Sequence, residues 1–416
     1  MSELMVNPGR PGPSLERMRV AIIHYWFTGY GGGERVIEAF AGMFPQADFF
    51  ALVASERGIP PALSKRRLTT SFVGRLPGAK RWYRHFLPLF PYALEQFDLN
   101  GYDLVISSES GPAKGVIAPP GACHICYCHS PMRYVWDMYH DYRKGMNPLV
   151  RTAFSLAAHY AREWDVTTAA RVDHFVANSQ YVAGRIRKYY RRGSTVIHPP
   201  VDVSAGYLAE ATDDAYLVVS RLVPYKRVEL AIEACNRLGR RLRVVGTGPE
   251  EKRLRRLAGP TIEFAGKLDE QRLRECYARS RALLFPAEED FGIVPVEAQS
   301  FGRPVIAYGR GGALETVSGL EEGGDPRTAT GIFFDDQTAE SLAGAISRFE
   351  EMEREFSPEF IRASSQRFSL ERFKDEFVRF AAEKLAEGQE EAGGTAHRKQ
   401  SADLARVSAG GAGGPC

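Results

Sequence analysis

The chain has little of what would place it outside the cell or across a membrane. Six cysteines in 416 residues are too few for a disulfide framework. No run approaches ~20 continuous apolar residues, so no membrane-spanning helix is expected. The first residues, Met1 to Glu16, are rich in Pro and Gly and lack the apolar core of a secretory signal. Net charge is also scarce: +3 gives no support to nucleic-acid binding as the main role. Together these absences predict a cytoplasmic protein.

Ligands for a metal are scarce as well. Cys123, Cys126 and Cys128 lie close together near His124 and His129, which invites a metal reading. Haem attachment needs His directly after the second Cys, but Tyr127 follows Cys126. No second cluster completes a zinc site. A buried strand from Cys123 to Cys128 with small apolar thiols is the better account, and no metal or other cofactor is expected.

What is present is a soluble composition, 44% hydrophobic and 25% charged, on a chain too long for one ordinary core. Apolar runs alternate with helical stretches. Strands are expected at Arg19 to Tyr25, Phe49 to Val53, Leu104 to Ser107, Gly115 to Ala118, His124 to Cys128, His174 to Ser179 and Thr195 to His198. Helices are expected at Arg35 to Met43, Arg81 to Leu94, Leu149 to Ala170 and Tyr181 to Tyr190. The pattern restarts after a polar linker over Ala205 to Asp214, with strands beginning at Tyr216, Leu242, Thr261, Ala282, Pro304 and Gly331. Such alternation implies parallel sheets with right-handed crossovers. The fold class is therefore α/β, with two doubly wound Rossmann-like domains facing across a cleft. The domains span 18–204 and 205–369. A helix over 370–386 needs a surface for Phe373, Phe377 and Phe380, which either domain could supply. Residues 1–17 and 387–416 read as disordered.

The densest chemical signal is the run from Glu289 to Glu297, which contains Asp290, Phe291, Gly292 and Pro295. One carboxylate is expected in a loop and the other in the first turn of the following helix. Pro295 suits the first helical position, and Gly302 suits the far end. A helix start gathers N–H groups that suit phosphate, and carboxylates accept hydrogen bonds from sugar hydroxyls. Arg221 and Lys226 follow a strand and can neutralise a diphosphate, one as a fork and one as a point charge. Gly31 to Gly33 would let backbone approach a ligand, whereas Gly246-Thr247-Gly248-Pro249 reads more as a turn. His129, at a strand end before Ser130-Pro131, points to a cleft as readily as to a core. Between Lys65 and Phe90, basic and aromatic residues alternate, which is compatible with peripheral association with an anionic membrane.

On these residues the chain resembles the retaining glycosyltransferases of family 4, also called glycosyl transferases group 1, which have the GT-B fold. The resemblance covers Met18 to about Leu385. It rests on Glu289-x7-Glu297, Arg221 with Lys226, Gly246 to Glu250, Gly31 to Glu34, and Val196 to Asp202. Residues 127–137 are similar to mannosyltransferases of bacterial O-antigen and exopolysaccharide assembly. The resemblance implies a metal-independent site for a nucleotide sugar, such as GDP-mannose. Glu297 would hold the ribose. Arg221, Lys226, Gly292, Ile293 and Val294 would hold the diphosphate. Glu289 and His129 would contact the hexose. Gly32, Gly33 and Arg133 would serve the acceptor or the diphosphate. The acceptor would be a saccharide or a polyprenyl-linked saccharide, met in the cytoplasm or at the inner face of its membrane. The rivals are a sugar-nucleotide hydrolase or epimerase and a non-catalytic sugar-nucleotide-binding or membrane-docked scaffold. Arg221 and Lys226 with the Glu289–Glu297 pair argue against the first, and His129, Glu289 and Arg221 together argue against the second.

Overall fold

The computed structural model describes residues 15–388. The expectations for 1–14 and 389–416 lie outside the described residues.

Thirteen strands form two sheets. The first contains β1 (Val20–His24), β2 (Asp48–Ala51), β3 (Leu68–Thr70), β4 (Leu104–Glu109), β5 (Cys123–Cys128), β6 (His174–Ala177) and β7 (Thr195–Val196). Its order is β3-β2-β1-β4-β5-β6-β7. The second contains β8 (Tyr216–Val219), β9 (Leu242–Val245), β10 (Ile262–Gly266), β11 (Leu283–Phe285), β12 (Val305–Tyr308) and β13 (Gly331–Phe334). Its order is β10-β9-β8-β11-β12-β13. Both are doubly wound, and chain progression reverses between β1 and β4 and again between β8 and β11. Ligands of such sheets bind at the carboxyl ends of the strands beside that reversal. Val20 to Ile23 are fully buried, as a strand covered on both faces requires.

By packing, the chain divides into two compact units. The first comprises the chain up to Cys128, Met132–Phe175 and the chain from Lys374 onward. The second comprises His129–Pro131 and Val176–Phe373. This differs from a boundary at 204/205. The reason is helix Gln180–Tyr190, whose polar groups bond to Glu288, Asp290 and Glu315 of the second unit. The helix over 370–388 finds its surface in the first unit. Phe377 meets Phe40 at 4.7 Å, Phe44 at 6.4 Å and Tyr127 at 6.4 Å between ring centroids.

Three local expectations are corrected. Residues 115–118 form no strand: a 3-10 turn, Ala113–Gly115, ends at Gly115, which packs directly under the Trp164 ring, and 116–118 are irregular. The helix expected over Arg81 to Leu94 is broken into Ala79–Trp82, a 3-10 segment Tyr83–Leu89, and Phe90–Glu95. Pro88 and Pro91 remove the N–H groups that a continuous helix would need. Helix Gly32–Met43 starts earlier than expected, so Gly32 and Gly33 are its first residues.

Phe377→Ala should destabilise the protein by about 3–5 kcal/mol, because a buried aromatic is deleted from a packed cluster. Denaturant unfolding measures this. A loss under ~1 kcal/mol would contradict docking of the C-terminal helix.

Candidate functional site

In the second unit, the loops after β8 and β9 lie against each other. Leu222 N–H donates to Thr247 O at 3.0 Å, and Glu250 N–H donates to Leu222 O at 3.1 Å. The approach needs glycine: Gly246 has φ +128°, and a Cβ there would stand 1.8 Å from the Ser220 carbonyl oxygen. The Gly246 to Pro249 run is thus accounted for by backbone packing. It braces the loop that carries Arg221 and Lys226. Arg221 is exposed, and its guanidinium has no protein partner among the described residues.

Glu289 follows β11, the strand beside β8 at the reversal point. Its carboxylate accepts a hydrogen bond from Lys226 Nζ, and the two side chains are only 20% and 17% exposed. Its carbonyl accepts from Gly312 N–H at 2.8 Å, which fixes the backbone beneath the pair. Gly292, at φ +97°, then turns the chain into helix Ile293–Ser300. Pro295 is the third helical residue, not the first. The leading donors are therefore the N–H groups of Ile293 and Val294, which lack intrahelical partners. Glu297 correspondingly lies in the second turn rather than the first. Tyr277 Oη donates to it at 2.8 Å. Gly302 closes the helix as expected: its N–H donates to Gln299 O at 2.8 Å and Arg303 N–H to Ala298 O at 3.1 Å.

The acids flanking Glu289 are committed elsewhere. Tyr181 Oη donates to Glu288 at 2.7 Å, and Arg185 pairs with Asp290. Arg185 also donates to Ser130 Oγ at 2.9 Å. This chain of bonds ties the half-buried His129, next in sequence to Ser130, to the residue next to Glu289. Glu315 accepts the N–H groups of Gln180 at 2.7 Å and Tyr181 at 3.0 Å, and pairs with His198 at 3.1 Å. Burial alone would raise the Glu315 pKa, but these hydrogen bonds hold it below the ordinary value. Sequence reading missed Arg185 and Glu315. The usable signal was Arg185 itself, a charge on the apolar face formed by Val182, Ala183 and Ile186.

In the first unit, Gly33 has a protein reason for lacking a side chain: a Cβ would stand 2.5 Å from Tyr25 Oη. Below it, buried His24 places Nδ1 3.0 Å from Ser108 Oγ and Nε2 3.7 Å from Glu34. Arg133 pairs with Asp137 at 3.4 Å. The adjacent Trp136 donates from Nε1 to Asp165 at 2.8 Å. Asp165 pairs with the fully buried Lys114, and Lys114 Nζ lies 3.8 Å from the fully buried Glu109. Burial pushes Glu109 up to about 8, against the opposing pull of Lys114. β5 is the expected buried strand, and Cys123, Cys126 and Cys128 are free thiols. Among the described residues, no group of three or more His, Cys, Asp or Glu could hold a metal ion.

Glu109 sets a pH dependence. Its folded pKa lies above the ordinary 4.5, so its contribution to stability is full below that value and is lost as pH rises through about 8. Glu109→Gln stays neutral throughout. Its melting temperature relative to wild type should therefore climb between pH 5 and pH 8. A pH-independent difference would contradict the buried triad.

A family model described as "Glycosyl transferases group 1" matches residues 204–367. A second, "Glycosyltransferase Family 4", matches residues 30–205. The Alpha-1,3/1,6-mannosyltransferase ALG2 of Saccharomyces cerevisiae is 24% identical, over 76% of this chain and 74% of the yeast protein. A GDP-mannose-dependent monoacylated alpha-(1-6)-phosphatidylinositol monomannoside mannosyltransferase of Corynebacterium glutamicum is 32% identical, over 35% of this chain and 47% of its own length. A glycogen synthase of Xanthomonas campestris is 30% identical, over 44% of this chain and 37% of its own. Among solved structures, sucrose-phosphate synthase from Thermosynechococcus elongatus superposes with a TM-score of 0.66 at 18% identity, covering 89% of this chain and all of that one. Anabaena Alr3699/HepE in complex with UDP and glucose gives 0.64 at 17% identity, covering 88% and 100%.

Proposed function

The chain belongs to the family 4 glycosyltransferases of GT-B fold, and from that premise we propose that it transfers mannose from GDP-mannose, with retention, to a saccharide or lipid-linked saccharide. The product would enter a cell-surface polysaccharide, made in the cytoplasm at the inner face of the membrane. The observation that carries the reading is the Lys226–Glu289 pair beside the start of helix Ile293–Ser300, with Arg221 exposed on the same loop as Lys226. Two relatives named as mannosyltransferases support the choice of sugar.

In this reading Arg221 and Lys226 take the diphosphate, with the N–H groups of Gly292, Ile293 and Val294. They balance the leaving-group charge without a metal, by preorganised electrostatics. Glu297, oriented by Tyr277, accepts from the ribose hydroxyls. Glu289 and His129 hold the hexose. Gly32, Gly33 and Arg133 serve the acceptor. The incoming hydroxyl attacks from the face that the diphosphate leaves. No carboxylate acts as a covalent nucleophile, so the two-carboxylate glycosidase scheme does not apply. A glucosyl donor is the second reading: the relatives include glycogen synthases, and a structural neighbour was solved with UDP-glucose.

Lys226 also assigns Glu289 a second task. Donor binding draws Lys226 toward phosphate, and hexose hydroxyls then satisfy Glu289. A bare nucleoside diphosphate offers Glu289 no hydroxyl and places negative charge beside it, so Glu289 favours intact donor over spent product.

Incubation with GDP-mannose, UDP-glucose and ADP-glucose, with nucleoside diphosphate release as readout, tests the reaction. Release from GDP-mannose in excess over the others is expected. No binding of any nucleotide sugar would overturn the reading. Lys226→Ala should weaken donor binding roughly 10- to 100-fold, about 1.4–2.7 kcal/mol, with the fold intact. Glu289→Gln should tighten nucleoside diphosphate relative to nucleotide sugar by roughly tenfold in calorimetry. An unchanged ratio would remove the second task.

A further inference from the structure

The first unit carries a surface that the transfer reaction does not use. Between Arg57 and Leu94 the sequence holds eight Lys and Arg and no Asp or Glu. Arg75, Lys80, Arg81 and Arg84 are exposed, and none has an acidic partner among the described residues. Beside them Trp82 is 52%, Leu89 40% and Tyr92 59% exposed. Exposed apolar side chains beside cations without acidic partners suit a counterpart that is both apolar and anionic. Arg81 lies over the Trp82 ring at 5.2 Å, so charge and ring face outward together.

A second element of the same unit also exposes large apolar side chains. Helix Pro148–Ala169 exposes Leu149 by 82%, Leu156 by 58% and Tyr160 by 70%. Their spacing of seven and four residues puts them on one stripe of the helix. Arg143 and Lys144 precede this helix and Arg151 lies in its first turn, Lys144 pairing with Asp141 at 2.6 Å. Both segments anchor in one core cluster, through Tyr83, Phe86 and Leu87 from the first and Trp164 from the second. No helix among the described residues is long and apolar enough to cross a membrane.

We propose that residues 75–92 and the outward stripe of helix Pro148–Ala169 form a docking face for an anionic lipid bilayer. The rings and leucines enter the headgroup region while the arginines and lysine meet lipid phosphates. The proposal extends the lipid-linked acceptor of the proposed function by naming the surface that meets the lipid. Vesicle binding is read without donor or acceptor, so its failure leaves the transferase reading standing.

The test is sedimentation of the full chain with phosphatidylcholine vesicles and with mixed phosphatidylcholine–phosphatidylglycerol vesicles. Binding to the mixed vesicles alone is expected, weakening as salt rises. Arg81→Ser with Arg84→Ser should reduce it roughly fivefold per cation. Trp82→Ala, and Leu156→Ser with Tyr160→Ser, should each reduce it with an unchanged melting temperature. Arg237→Ser with Arg256→Ser, exposed arginines of the second unit, should leave it unchanged. Equal binding to both vesicle types, no binding, or an equal loss in the control variant would overturn the proposal.

Discussion

One hydrogen-bonded ion pair, between Lys226 and Glu289, organises the chemistry of the second unit. The two residues come from the ends of β8 and β11, strands far apart in sequence that the doubly wound order makes neighbours. Each lies on a loop braced by backbone bonds, Lys226 through the glycines after β9 and Glu289 through Gly312. A largely buried ammonium and carboxylate hold each other's charge. A ligand that separates them must offer an anion to one and hydroxyls to the other. A nucleotide sugar does both.

The surroundings of the pair read as support for that exchange. Glu288 and Asp290 are occupied by Tyr181 and Arg185, so Glu289 is the acid of its run that faces Lys226. Arg185 carries the same rigidity to Ser130, beside His129. Glu315 caps helix Gln180–Tyr190 and so holds Arg185 in register. A comparable logic holds in the first unit. There the buried Lys114 and Asp165 fix Trp136 within the segment that carries Arg133 and Asp137.

Much of this was legible in the sequence. Strand and helix periodicity located most elements closely, and strands β8, β9 and β13 begin at the residues where it placed them. Glu289 and Lys226 were singled out by residue type and position after strands, and the fold brings them together. The misses have local causes. Residues 115–118 are apolar enough for a strand, but the burial of Lys114 and the Trp164 ring impose a turn. Pro295 resembled a first helical residue, but the left-handed Gly292 starts the helix two residues earlier. Arg185 offered only its place on an apolar helix face, and Glu315 offered nothing, because the partners Asp290 and Tyr181 lie more than a hundred residues away. Only the folded chain pairs them.

The most direct measurement is a structure of the protein with GDP-mannose bound. The account predicts the diphosphate between Arg221, Lys226 and the N–H groups of Ile293 and Val294. It also predicts that Glu289 has turned from Lys226 to the hexose hydroxyls. A donor whose phosphates lie away from Lys226, with the Lys226–Glu289 hydrogen bond intact, would contradict it.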